Sequence, residues 1–183
     1  MAYFGENWDY GEYPLAYLIT IRTYGTWLHG DGRLSVDTQG IYNIRGAPKR
    51  PADPNLLKRM TENMTSTPIV LDEVQRNTVR KAIEEVCEHR GYDLRALNVL
   101  TNHAHAVVSA EIKPEIIADS FKAYATRKLR ENQMIGSDTK PWSRGRSRRY
   151  LWKSHHVEAA INYVLYFQGD VVFEDWYSEM FDD

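Results

Sequence analysis

Hydrophobic and polar positions alternate with period two across Leu15–Tyr24 and again across Tyr92–Ala110. That is the mark of half-buried strands. In the first run Ile19, Ile21 and Thr23 fall on one face, and Leu18, Thr20 and Arg22 on the other. The second run is long enough for two strands. Leu94, Ala96, Asn98 and Leu100 alternate with Arg95, Leu97, Val99 and Thr101, and a turn near Asn102 would separate them from His103–Ser109. Elsewhere the period changes to that of a helix. Over Asp72–Arg90, Val74, Val79, Ile83 and Val86 form an apolar stripe with Ala82 and Cys87 beside it. Asp72 with Gln75 three residues on makes a capping box, and Gly91 is a stop. Pro114 opens a second helix to about Asn132, with Ile117, Phe121, Tyr124 and Leu129 at helical spacing. Arg148–Trp152 reads as a short strand. Ser154 can cap a third helix reaching about Gln168, where Gly169 stops it.

The order strand, helix, strands, helix, strand, helix predicts an α+β fold with helices on one face of a mainly antiparallel sheet. Residues 25–70 are rich in Gly, Pro, Asn and Asp and predict a long excursion with little regular structure. Residues 136–147 read as a polar loop. A chain of 183 residues suits one domain. The expected division is an acidic, aromatic arm over 1–14, one main domain over 15–169 that would carry any chemistry, and an acidic tail over 170–183.

Composition narrows the possible functions. Cys87 is the only cysteine, which excludes an internal disulfide and a cysteine zinc cage and predicts a reducing, cytoplasmic setting. No stretch is long and apolar enough to span a bilayer, and MAYFGENWDYGEYP lacks the pattern of a secretory leader. The net charge of -2 gives no overall attraction to nucleic acid, yet the charge is uneven. Between Lys122 and Lys153, the cations Lys122, Arg127, Lys128, Arg130, Lys140, Arg144, Arg146, Arg148, Arg149 and Lys153 face only Glu131 and Asp138. Trp142, Tyr150 and Trp152 are interleaved with them. Cations that track phosphates and rings that stack on bases suit single-stranded nucleic acid. The plainer alternative is a solvated loop paired with the acidic ends.

Two motifs carry candidate chemistry. In Thr101-Asn102-His103-Ala104-His105-Ala106-Val107-Val108, a strand would place His103 and His105 side by side and turn Ala104, Ala106 and Val108 into packing. Two imidazoles can hold one divalent metal and leave the site open to a phosphate oxygen. On the last predicted helix, Val157, Ile161, Val164 and Leu165 could face the sheet, and Tyr163 lies off the centre of that stripe. A tyrosine can act as a covalent nucleophile, and a metal that polarises the phosphate eases its attack. Taken alone, the histidines read as a chance pair, and Tyr163, Tyr166 and Phe167 as packing residues.

Together, the His103-Ala104-His105 strand, the basic middle segment and Tyr163-Val164-Leu165-Tyr166-Phe167-Gln168 resemble the HUH (His-hydrophobic-His) single-tyrosine transposases. These include the REP-associated and insertion-sequence 200-like groups. Leu18–Asp31 and Arg149-Tyr150-Leu151-Trp152 also resemble segments of such proteins, so the likeness runs over about residues 15–169. It implies a ferredoxin-like or RRM-like antiparallel sheet with helices packed on it and the histidines on a central strand. It implies a homodimer acting on single-stranded or hairpin DNA. Tyr163 would form a 5′-phosphotyrosine link, with Mg²⁺ or Mn²⁺ on His103, His105 and Gln168. Lys122, Arg127, Lys128, Arg144, Arg146, Arg148, Arg149 and Trp152 would hold DNA. Two positions depart from the family pattern: Ala104 is smaller than the usual valine or isoleucine, and Gln168 stands five residues after Tyr163 rather than four. Asn162, Glu158 and His156 are the alternatives for a third ligand, and Tyr124 and Tyr166 the alternative nucleophiles. A domesticated relative that binds hairpin DNA without cutting it is the competing function. A phosphoesterase with paired His-x-Thr/Ser motifs lacks its second motif here.

Overall fold

The computed structural model describes residues 13–33 and 50–166. Strands β1 (Ala16–Arg22), β2 (Asp93–Val99), β3 (His103–Ser109) and β4 (Ser147–Leu151) form one antiparallel sheet in the order β2-β3-β1-β4. Helices α1 (Pro54–Glu62), α2 (Glu73–Arg90), α3 (Pro114–Glu131) and α4 (Ser154–Tyr166) complete it. This is the α+β, ferredoxin-like arrangement that the sequence predicts. The bulk of the expected arm, Gln168, Gly169 and the acidic tail lie outside the described residues.

The capping signals act as read. Asp72 accepts from the Gln75 N–H at 2.8 Å, and the Gln75 side chain accepts from the Asp72 N–H at 3.0 Å. Gly91 closes α2 with φ 68°, a left-handed conformation that costs glycine nothing. At α4, Lys153 rather than Ser154 takes the cap position, its carbonyl accepting from the N–H groups of His156 and Val157.

The sheet is covered on both faces, which corrects the one-face expectation. Tyr17, Ile19 and Ile21 of β1, Leu97 and Val99 of β2, and Ala104, Ala106 and Val108 of β3 pack beneath α2 and α3. On the opposite face Ala16, Leu18, Ala96, Val107 and Leu151 pack against Val157, Ala159, Ala160, Tyr163 and Val164 of α4. Strand alternation leaves that second set apolar, and burying it requires a helix. A bulge in β2 shifts the register between Leu94 and Ala96, so Leu94 joins the α2/α3 core while Ala96 turns to α4.

Three further expectations change. The excursion over 25–70 contains α1, capped by Asp53, whose carboxylate accepts from the N–H groups of Asn55 and Leu56, with Pro54 at the first position. Leu56, Leu57 and Met60 give it a short, half-buried apolar stripe, and none of its residues is fully buried. Val74 is 62% exposed, and the buried stripe of α2 begins at Val79. On α4 the buried line runs through Val157, Ala160, Tyr163 and Val164, while Leu165 is exposed. Tyr163 thus belongs to the packed stripe. Among the described helices none is long and apolar enough to cross a membrane.

Phe121 is fully enclosed where α3 meets the sheet. Phe121→Ala is expected to destabilise the fold by about 3–5 kcal/mol, read from urea unfolding; a loss below about 1 kcal/mol would mean that α3 is not seated as described.

Candidate active site

His103 and His105 lie on β3, flanked by β1 and β2. Because Ala104, Ala106 and Val108 face α2 and α3, the two imidazoles project to the α4 face. Their ring centroids are 4.5 Å apart. The Tyr163 ring lies edge-on to His105 with centroids 5.4 Å apart. The small residues Ala96, Ala159 and Ala160 between helix and sheet leave room for that approach.

The backbone register places polar partners around the pair. Across the sheet one row reads Asn98, His105, Thr20 and Ser147, and the next position pairs Arg22 with His103. His105 Nδ1 is 2.7 Å from the Thr20 hydroxyl. His103 Nδ1 is 2.6 Å from Asn102 Oδ1. That oxygen only accepts, so His103 Nδ1 carries the proton and Nε2 keeps its lone pair. Asn98 donates from Nδ2 to the Val164 carbonyl at 3.2 Å, tying the turn of α4 that bears Tyr163 to the same row.

Both imidazoles are held neutral. Burial, then the charges of Arg22 and Arg33, lower the His103 pKa to about 4. Burial, then His103 and Arg22, lower that of His105 to about 3. Neutral imidazoles with Nδ1 engaged and Nε2 remaining fit a divalent transition ion, and fit Mg²⁺ less well, since it demands oxygen ligands. Among the described residues no third His, Cys, Asp or Glu joins the pair, which sets aside Glu158 and His156 as they stand. Asn162 is exposed on α4, and His156 stacks edge-on against His155. Gln168 lies outside the described residues.

The turn after β1 borders the pair, a neighbour the sequence reading did not single out residue by residue. Thr23 donates its N–H (2.9 Å) and hydroxyl (3.0 Å) to the Asn102 carbonyl. Arg22 lies over the Trp27 ring at 3.8 Å and Arg33 at 4.9 Å. Arg33 also grips Asp31, lowering that carboxyl to about 2.

Most of the expected DNA-binding cations lie on the α3 side of the sheet, away from the histidine face. Lys122 donates to the carbonyls of Ser143 and Gly145 and pins the loop before β4. Arg127 pairs with Glu131 and lies over Tyr124, and Lys128 pairs with Glu85 and Glu131. Arg146 pairs with Asp119 and Arg148 with Glu115. These groups, with Tyr124, belong to the α3 side of the sheet. Arg149 is in register with Leu18 and shares the face of the histidines. Trp152 stacks with Tyr150, and Arg144 is exposed in the loop.

The lowered histidine pKa values set an acid limit. Both groups have folded pKa values below the unfolded value of about 6.5, so the unfolded chain binds more protons between these values. Stability is full above pH 6.5 and falls as the pH drops towards 4 and then 3. In urea titrations with chelator, a His103→Asn/His105→Asn variant is expected to lose less stability than the native chain between pH 7 and 4.5. An equal loss in both would place the acid sensitivity elsewhere.

Comparison with known proteins supplies the family. Residues 65–164, more than half of the chain, match the model described as "Transposase IS200 like". No curated protein matches the chain. Among solved structures, it is similar to a REP-associated tyrosine transposase bound to a REP hairpin, at 10% identity and a TM-score of 0.46, covering 87% of this chain and 69% of that one. It is also similar to a candidate transposase from Deinococcus radiodurans R1, at 14% identity and a TM-score of 0.43, covering 90% of this chain and 95% of that one. The family match, centred on the stretch from α2 through the histidine strand to α4, makes this chain a member of the IS200-like transposase family.

Proposed function

We propose that this transposase-like protein cleaves and rejoins single-stranded or hairpin DNA through Tyr163. The contiguous line Tyr163, His105, His103 on one face of the sheet carries the reading. Tyr124 lies on the α3 side, beside His89 and Arg127, and Tyr166 is 74% exposed on the outer side of α4. Tyr163 is therefore the nucleophile that the geometry favours. Its oxygen attacks the phosphorus, the P–O3′ bond breaks, and the 3′-oxygen leaves as a hydroxyl with the proton that the phenol gives up. A 5′-phosphotyrosine link results, and another strand's 3′-hydroxyl reverses the step to give strand transfer. The two Nε2 atoms, with Gln168 as the candidate third ligand, would hold a divalent ion such as Mn²⁺, which polarises a phosphate oxygen when bound. Asn102 and Thr20 fix the two rings from behind.

Arg149 on edge strand β4 is the expected DNA contact that shares the histidine face, while Tyr150, and Trp152 stacked on it, go with Tyr17 on the α2/α3 side. Lys122, Arg127, Lys128, Arg144, Arg146 and Arg148 would add longer-range attraction; exposed ion pairs are weak enough to yield to phosphate.

Incubating the protein with labelled hairpin-bearing single strands and Mn²⁺ is expected to give a protein–DNA adduct on a denaturing gel. Tyr163→Phe and His103→Ala/His105→Ala should each abolish it. An adduct that survives Tyr163→Phe would move the nucleophile to Tyr166 or Tyr124, and binding without any adduct would favour the non-cutting alternative. Asn98→Leu, which releases the Val164 carbonyl, should slow adduct formation about tenfold with DNA binding unchanged; an unaltered rate would remove Asn98 from the positioning of Tyr163.

A further inference from the structure

The turn after β1, over residues 23–33, is built around one ring. Trp27 carries Arg22 at 3.8 Å and Arg33 at 4.9 Å. The two guanidinium groups come from different places in the chain. Arg33 donates Nε and Nη2 to the two oxygens of Asp31, at 3.0 and 2.6 Å, and Nη2 also to the Thr26 carbonyl at 2.7 Å. It is a buttress that fixes the ring. Arg22 is the last residue of β1, and its strand partner is His103. The alternation that sends Ile21 into the α2/α3 core sends Arg22 to the face of the histidines. Arg22 is half-buried, so the histidine face gains a cation whose position the ring restrains.

The turn is also registered to the histidine strand through Asn102. One side of that residue, Oδ1, holds His103, and its carbonyl accepts from Thr23 N–H, the Thr23 hydroxyl and the Thr26 hydroxyl. Gly30, at φ 92°, lets the turn pass the start of α1: an added Cβ would stand 2.4 Å from the Asp53 carbonyl oxygen and 2.7 Å from the Leu57 nitrogen. A loop fixed at so many points presents Arg22 in one place relative to His103.

We infer that Arg22, seated over the Trp27 ring, is a phosphate-binding residue that grips the DNA strand beside the histidine pair. Guanidinium matches phosphate geometry with paired donors, and a ring at its back restricts its rotation. The inference rests on the proposed reading only in that single-stranded DNA crosses the histidine face. It does not require cleavage.

The test is therefore made without metal and without cutting. Binding of labelled oligothymidine to the native protein, Arg22→Ala, Arg22→Lys, Trp27→Leu and the remote control Arg90→Ala is measured against salt in EDTA. Thermal unfolding of each variant confirms that it is folded. Loss of one phosphate contact should flatten the slope of log affinity against log salt by roughly 0.7 for Arg22→Ala, and Arg90→Ala should leave it unchanged. Arg22→Lys keeps the charge, so the native slope should return with affinity still several-fold weaker. Trp27→Leu should weaken affinity with little change in slope. An unchanged slope in Arg22→Ala, an equal change in Arg90→Ala, or no binding by the native protein would overturn the inference. Absence of an adduct in the cleavage assay would sink the proposed function and leave this measurement standing.

Discussion

A strand sends alternate side chains to opposite faces, and β3 lies where both faces are covered. Its small and branched residues Ala104, Ala106 and Val108 close the core under α2 and α3. Its histidines can then only point towards α4, beside Val107. A register slip of one residue would bury both imidazoles against apolar helices and turn alanines to the site. Antiparallel pairing with β1 and β2 prevents the slip, and the same pairing delivers Thr20, Asn98 and Arg22 to the histidines. The site is thus a consequence of sheet register.

Burial then shapes the chemistry. Imidazoles taken out of water and set beside arginines stay neutral, which is the form that ligates metal. Asn102 and Thr20 orient the rings through Nδ1. The electrostatic design has two parts: neutral nitrogens where an ion would sit, and a guanidinium just beyond, where a strand's phosphates would run. The Trp27 ring against Arg22 restrains where that charge sits.

α4 connects packing with function. Its apolar side covers the second sheet face, and Tyr163 is part of that seal, 6% exposed and edge-on to His105. The helix is positioned by apolar burial over Leu18, Val107 and Leu151 and by the side-chain bond from Asn98.

Much of this was legible in the order of residues. Capping by Asp72 and Gln75, the stop at Gly91, Pro114 at a helix start and the alternation through His103 and His105 are local signals, set by bonds and periods within a few residues. They gave the elements, the α+β class and the side-by-side histidines. Folding decided what depends on partners distant in the chain. The second covered face followed from which apolar strand positions remained after α2 and α3 had packed. The burial of Tyr163 followed from where α4 came to rest. The ion pairing of much of the basic segment followed from acidic residues on α2 and α3, such as Glu85, Glu115 and Asp119, that sequence distance concealed. Helix α1 was hard to read because its nine residues carry only the short stripe Leu56, Leu57 and Met60 within a stretch rich in Pro, Asn and Asp. Period and capping are short-range and can be read along the chain; side-chain neighbourhoods across a sheet arise only when register brings strands together.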